Sequence, residues 1–167
     1  MYPYDSLREY VADLQKRGRC IRIKEIDQDI YESTALVYRM LSRLGDKAPG
    51  FLVDKTKING KWFDTPMVGN IYNGYDTVAL SFGAENITDV SIDMYHAAIK
   101  RIESFLQPDG TWKQIAPKEV SPQQAPCKEV ILMGEEADIY KYPWIKNNPL
   151  DAAQYISAGS FVMNDPE

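Results

Sequence analysis

Few side chains in this 167-residue chain stand at spacings that could do chemistry, and most of them lie toward its C-terminal end. His96 is the sole histidine. A Ser/His/Asp triad would have to use it. It follows Tyr95 inside a helical pattern, with no nucleophile or carboxylate at useful spacing, so a structural role is the preferred reading. Glu135, Glu136 and Asp138 form an acidic cluster of the kind that binds hard cations; a solvated turn explains it more simply. Tyr140, Tyr142 and Trp144 surround Pro143. They could wall a pocket for a flat substrate or a flavin, or fill a domain interface, where aromatic rings bury most area. The interface is preferred. Ser157-Ala158-Gly159-Ser160 falls in an expected strand over 155–163. Small residues there let a ligand or another backbone approach closely. Tight sheet packing is the simpler explanation, yet this is the best cofactor-facing surface the sequence offers.

The formal charge of −5, with acids and bases interspersed, argues against nucleic-acid binding, which wants a basic face. Cys20 and Cys127 stand far apart, with no Cys/His cluster for structural zinc, and reduced thiols are the simpler state. The N-terminus MYPYDSLREY has no apolar core of a signal peptide. No apolar run approaches the roughly 20 residues of a membrane span. A soluble cytoplasmic protein is expected. Phosphate-loop signatures (GxGxxG, GxxxxGKS/T) are absent.

The elements that position these residues are legible in part. Ser6 and Glu9 form a capping-box pattern, and Leu7, Tyr10, Val11 and Leu14 share a helical face ended by Gly18. Cys20 to Lys24 alternates as a half-buried strand. A second helix is expected over 29–44, with Ile30, Thr34, Val37, Leu41 and Leu44 inward. Residues 51–53 read as a strand, Asn59-Gly60 as a hairpin turn returning through Trp62-Phe63, and 67–71 as another strand. A short helix over 75–82 precedes a third long helix capped by Ser91. Ile92, Tyr95, Ile99, Ile102 and Leu106 form that helix's inner stripe. The expected unit is α+β, with three main helices and a small sheet over 1–106.

Residues 107–126 contain Pro108, Asp109-Gly110, Pro117, Pro122 and Pro126, which forbid regular elements and suggest a connector. Residues 127–167 then open a β-rich domain, with strand-like runs at 129–133 and 155–163. The chain closes on the turn signal Asp165-Pro166-Glu167. That strand needs a partner, so the sequence reads as the front part of a larger protein whose reactive groups lie further on.

The order of elements resembles the N-terminal region of the UbiD-type decarboxylases: a capped helix, the RGRCIRIKEI strand, a helix, the FLVD strand, then TPMVGNIY. Downstream, APCKEV at 125–130 resembles the segment leading into that family's flavin-binding domain. DIYKYP at 138–143 is similar to its D-L-x-x-L-P step, and DAAQYISAG at 151–159 to its D-A-G-P-Y-I-T-A-G strand. The resemblance covers the whole chain but only the first third of a typical member. Tyr140 and Tyr142 depart from family leucines, and WIKNNPLDAAQ at 144–154 leaves the substrate class open.

The resemblance implies an α+β domain followed by the first strands of a split β-barrel flavin-binding domain. It implies a lyase that adds or removes CO2 on an aromatic or α,β-unsaturated acid through a covalent adduct with prenylated FMN. A divalent metal (Mn or Mg) and K would accompany the flavin, and a flavin prenyltransferase would supply it. A homodimer or higher homo-oligomer is also implied. The family's catalytic Arg and Glu pair, and its flavin-phosphate and metal ligands, match no position here, so no catalytic or metal residue is carried over. Ser157 alone aligns with a small hydroxyl residue near the flavin and is the one cofactor-binding candidate. By itself the 167-residue chain is expected to be inactive. Two other readings compete with this one. One is a non-catalytic subunit or binding module partnering a larger flavin-dependent subunit. The other, less favoured, is a free-standing acidic ligand-binding domain.

Overall fold

The computed structural model describes residues 4–156. Helix α1 (Leu7–Lys16) starts where Ser6 Oγ accepts from Glu9 N at 3.2 Å. The reciprocal arm of the expected capping box lands one residue earlier, since Glu9 Oε2 accepts from Asp5 N at 2.8 Å. Strand β1 (Cys20–Asp27) runs into a 3-10 turn over Gln28–Ile30, helix α2 (Glu32–Leu44) and strand β2 (Gly50–Ile58). β1 and β2 pair in parallel, from Cys20 opposite Gly50 to Asp27 opposite Lys57. α2 is thus the crossover of a βαβ unit, because parallel strands need a long connection.

Asn59 and Gly60, both left-handed at φ 52° and 75°, turn the chain into β3 (Lys61–Phe63) as the hairpin signal predicts. Asp29 stabilises that turn from across the sheet: its carboxylate accepts from Asn59 N at 2.5 Å and from Gly60 N at 2.8 Å. β4 (Met67–Gly69) pairs with the first half of β2, antiparallel. α3 (Tyr75–Ser81) and α4 (Ile92–Glu103) pack on each other.

β2 sorts its side chains by the period of two. Leu52 joins Tyr10, Val11, Leu14, Cys20, Ile71 and Leu80 on the face covered by α1. Phe51 and Val53 join Ile26, Met40 and Ala48 on the face covered by α2. The sheet is therefore buried on both sides, as a parallel pair requires. Gly69 packs flat against the Phe51 ring, where any Cβ would overlap it.

One buried ion pair ties these layers together. Arg19 Nε lies 2.7 Å from Asp76 Oδ2, with side chains only 13% and 7% exposed. The same guanidinium donates to Lys47 O at 2.6 Å and Asp46 O at 2.9 Å. A Cβ on Gly74 would collide with this cluster, so glycine is required there. Nearby, the Tyr10 hydroxyl lies 3.0 Å from Ile71 O and 2.8 Å from Thr77 O.

Three expectations fail in whole or in part. The inner stripe assigned to α4 is inward only in part: Ile92, Tyr95 and Ile99 are exposed although the Tyr95 ring meets Tyr75 of α3, Ile102 and Leu106 are half-buried, and Ala98 is the buried residue. Close packing on α3 selects the small side chain, while apolar periodicity marks a face without saying what covers it. On α2, Val37 and Leu41 pack inward as expected, but Ile30 precedes the helix and is exposed, as is Leu44, and the fully buried positions are Ser33 and Met40. The run at 129–133 is not a strand; it lies between 3-10 turns at Pro126–Lys128 and Gly134–Glu136, with Val130, Ile131 and Met133 exposed. A strand exists only through its neighbour's hydrogen bonds, and no described segment pairs with this one. The expected first strands of the second domain therefore reduce, among the described residues, to a single bridge between Ile145 and Tyr155. Residues 157–163 of the second expected strand lie outside the described residues.

Asp76→Ala leaves the Arg19 charge buried without its carboxylate. Urea unfolding should show a loss of about 3–5 kcal/mol, while the double change Arg19→Met/Asp76→Leu should cost much less. Equal losses would mean that the pair's charge is not what matters.

Candidate functional site

The end of β1 is held by a network of short-range bonds. Lys57 Nζ reaches Asp27 Oδ2 at 2.8 Å across the parallel pair. Asp27 Oδ1 accepts from Asp29 N at 3.0 Å, and Glu32 Oε2 accepts from Asp27 N at 2.6 Å. These bonds over-determine Tyr31, a non-glycine residue in the left-handed region at φ 60°. The chain reverses there, and Gln28 turns inward.

Gln28 is 4% exposed. Its Oε1 accepts from Ser33 Oγ at 2.5 Å and from Ser33 N at 3.3 Å. Its Nε2 donates to Lys146 O at 2.8 Å. Thr34 Oγ1 donates to the next carbonyl, Asn147 O, at 2.7 Å. The segment 145–155 is thus strapped along α2. The strap is closed by Tyr155 N donating to Ile145 O at 3.0 Å. Asp151 Oδ2 accepts from Asn147 N and Asn148 N at 3.0 and 2.9 Å, and Asn147 Nδ2 donates to the Tyr155 hydroxyl at 2.9 Å.

Strap, α2 and β4 enclose a cleft of 420 Å³. Phe51, Val37, Met67 and Ile145 give it apolar walls, with hydroxyls and amides such as Thr34, Asn70 and Asn147 among its lining. Among the described residues no lining side chain is charged. The described lining offers no carboxylate, no imidazole and no cation for a carboxylate; besides amides and hydroxyls it presents the phenols of Tyr38 and Tyr155.

The titrating groups displaced from their ordinary range lie elsewhere. Burial, together with the bond from its hydroxyl to Asp13 at 2.7 Å, pushes Tyr4 up to about 12. Burial pushes Tyr10 higher still, and raises the Cys20 thiol. For Asp13, burial acts upward, but the bonds from Tyr4 and Arg17 prevail and hold the carboxyl below the usual range. None of these groups lines the cleft. They are protonated or paired members of the packing around α1 and β1.

The sequence candidates scatter. His96 is exposed on α4, its ring 5.6 Å from that of Tyr95. Glu135 and Glu136 sit in an exposed 3-10 turn, while Asp138 caps the next one by accepting from Tyr140 N at 2.9 Å. Among the described residues no three His, Cys, Asp or Glu side chains converge as metal ligands. The rings of Tyr142 and Trp144 meet at a tilt of 45° with centroids 5.7 Å apart, Trp144 Nε1 donates to Ile139 O at 2.6 Å, and Tyr140 is exposed. Ser157 lies outside the described residues. Thr34 falls on the expected inward stripe of α2, but nothing in the sequence points Thr34 or Gln28 at the strap, since each is a single polar residue of common type more than a hundred positions from its partner.

Residues 118–167 match the family described as UbiD, 3-octaprenyl-4-hydroxybenzoate carboxy-lyase Rift-related domain. The chain is similar to an uncharacterized protein of Aquifex aeolicus (strain VF5), 27% identical over 173 residues, which span 99% of this chain and 34% of that protein. Two structures of the vanillic acid decarboxylase of Sedimentibacter hydroxybenzoicus share the fold. The open form with truncated ShVdcD gives a TM-score of 0.62 at 25% identity, over 92% of this chain and 30% of that one. The open form alone gives 0.62 at 23%, over 87% and 28%. The chain thus spans about a third of the length of these relatives. The match at 118–167 contains all three downstream motifs on which the UbiD resemblance was drawn, and that resemblance holds. The mixed α+β fold with a small sheet and several helices holds with it.

The Asp27–Lys57 pair makes the anchoring turn pH-sensitive. The bond from Lys57 lowers Asp27 below its ordinary value of 3.8, and the same bond raises Lys57 above 10.5. A lowered carboxyl contributes stability above its unfolded value and loses it as pH falls through the folded one. A raised amine contributes below 10.5 and loses it as pH climbs past that point. Asp27→Asn should therefore flatten the stability–pH curve on both limbs, read by thermal melts across the acid and alkaline ranges. An unchanged acid limb would remove this pair from the account.

Proposed function

We propose that this chain forms the N-terminal part of a UbiD-like carboxy-lyase acting on an aromatic or α,β-unsaturated carboxylic acid. The observation that carries the proposal is a coincidence of position. Residues 118–167, which match the carboxy-lyase domain, include the strap held by Gln28 of the preceding turn and Thr34 of α2. An α+β unit over 1–106 would then serve as the platform on which the entry to a flavin domain is seated. Residues 107–126 would be the connector and 127–167 the start of that domain.

Prenylated FMN, when bound, supplies an electrophilic centre for the unsaturated bond beside the carboxylate. The described residues do not fit it. The cleft offers no cation for a flavin phosphate, and no described cluster suits its divalent metal. Within this proposal those groups, and K, belong to other parts of the protein, with Ser157 as the one flavin-facing hydroxyl. The chain's own contribution is orientation: bonds to successive carbonyls at 146 and 147 fix the path of the segment leading to Tyr155. A cytoplasmic homo-oligomer served by a flavin prenyltransferase completes the proposal. A non-catalytic partner subunit is not favoured, because the matched domain is that of a carboxy-lyase.

The test compares the 167-residue chain with its longer parent polypeptide, each co-produced with a flavin prenyltransferase. The isolated chain should purify colourless and release no CO2 from a panel of aromatic and cinnamate-type acids. The parent should carry a flavin band and turn over at least one acid. A flavin band on the isolated chain would overturn the division of labour.

A further inference from the structure

We propose that Gln28 is a positioning residue: its buried amide sets the register of the strap on α2, and through it the placement of the strap's end at Tyr155 in the carboxy-lyase reaction. The proposal rests, for its link to the reaction, on the function proposed above; the register pin itself rests on geometry alone.

The Gln28 amide is fixed in orientation. Ser33 N can only donate, so the amide face it meets must be the oxygen, and the nitrogen must face Lys146. Both ends are thereby engaged in a place almost closed to water, where an unmatched group costs most. Thr34 makes the neighbouring bond from a half-buried position, where water can replace it. Slipping the strap by one residue would take Lys146 O from Gln28 Nε2 and Asn147 O from Thr34 Oγ1 together. The charged groups around the turn do not compete: Asp27 is paired with Lys57, Asp29 holds the 59–60 turn, and Glu32 holds Asp27 N.

Gln28→Glu keeps the shape and the bonds from Ser33 but cannot donate to Lys146 O while ionised. In the parent protein at neutral pH, hydrogen exchange at Asn147, Asn148 and Tyr155 should rise by about tenfold or more relative to wild type, the loss of roughly one charge-sensitive hydrogen bond. Exchange in β1 and β2 should stay close to wild type, and kcat should fall while KM changes little. At pH values where the introduced carboxyl is protonated, its hydroxyl can donate again, and the exchange ratio to wild type should return toward one. Loss of packing alone would show no such recovery. Gln28→Leu provides the comparison without recovery. Unchanged strap exchange in Gln28→Glu would overturn the register pin, and raised exchange with unchanged kcat would overturn the positioning role. A parent without carboxy-lyase turnover would sink the proposed function instead, and the exchange data would still decide the pin.

Discussion

A guanidinium withdrawn from water must find its counter-charge and its acceptors where it lies, and most of this fold is arranged around that demand at Arg19. Its side chain meets Asp76 at the start of α3 and the carbonyls of Asp46 and Lys47 at the end of the crossover. Its own carbonyl accepts from Gly50 N at 2.8 Å, one residue before the β1–β2 ladder begins. Three segments far apart in sequence are thereby brought to one point. The cluster also explains the small residues around it. Gly74 leaves the space that Asp76 and Arg19 occupy, and Asn73 Nδ2 donates to Gly45 O at 3.0 Å and Ala48 O at 3.3 Å. A buried pair of this kind fixes one arrangement more than it adds stability, because desolvation offsets most of the attraction.

From that point the parallel register carries the constraint to the other end of the sheet. Asp27 falls opposite Lys57, and the pair they form fixes the turn that inverts at Tyr31. The turn presents Gln28 to the strap. Both ends of the β1–β2 pair therefore carry an ion pair, and at the far end an uncharged amide makes the further contact to the strap. The difference suits the surroundings. Asp76 and Arg19 neutralise each other directly, whereas the strap offers only backbone carbonyls, which a neutral donor satisfies at lower desolvation cost.

The described lining of the cleft between strap, α2 and β4 mixes apolar walls with neutral polar groups and carries no charge, while the proposed CO2 chemistry on an acid calls for a cation and a proton donor. The two facts are compatible if the described residues orient the strap up to Tyr155 and the reacting groups are held elsewhere. The displaced tyrosines and Cys20 fit the same picture. Their shifts follow from burial in packing and not from a reaction centre.

What the sequence determined by itself was local or linear. The serine cap of α1, the Asn59-Gly60 turn, the strand through 51–53 and the short α3 each depend on residues within a few positions of one another, so their signals are written side by side. The motifs APCKEV, DIYKYP and DAAQYISAG are linear too, which is why the resemblance they suggested holds. Whatever depended on a distant partner could not be read. The α4 stripe promised burial, yet contact with α3 selects Ala98, and residues 129–133 have strand composition without a strand to pair with. Arg19 and Asp76 stand 57 positions apart, and Gln28 and Lys146 stand 118 apart. Only the tertiary structure could decide these, because a charge or an amide acquires its role from the water it loses and the partner it meets, and neither is encoded in its immediate neighbours.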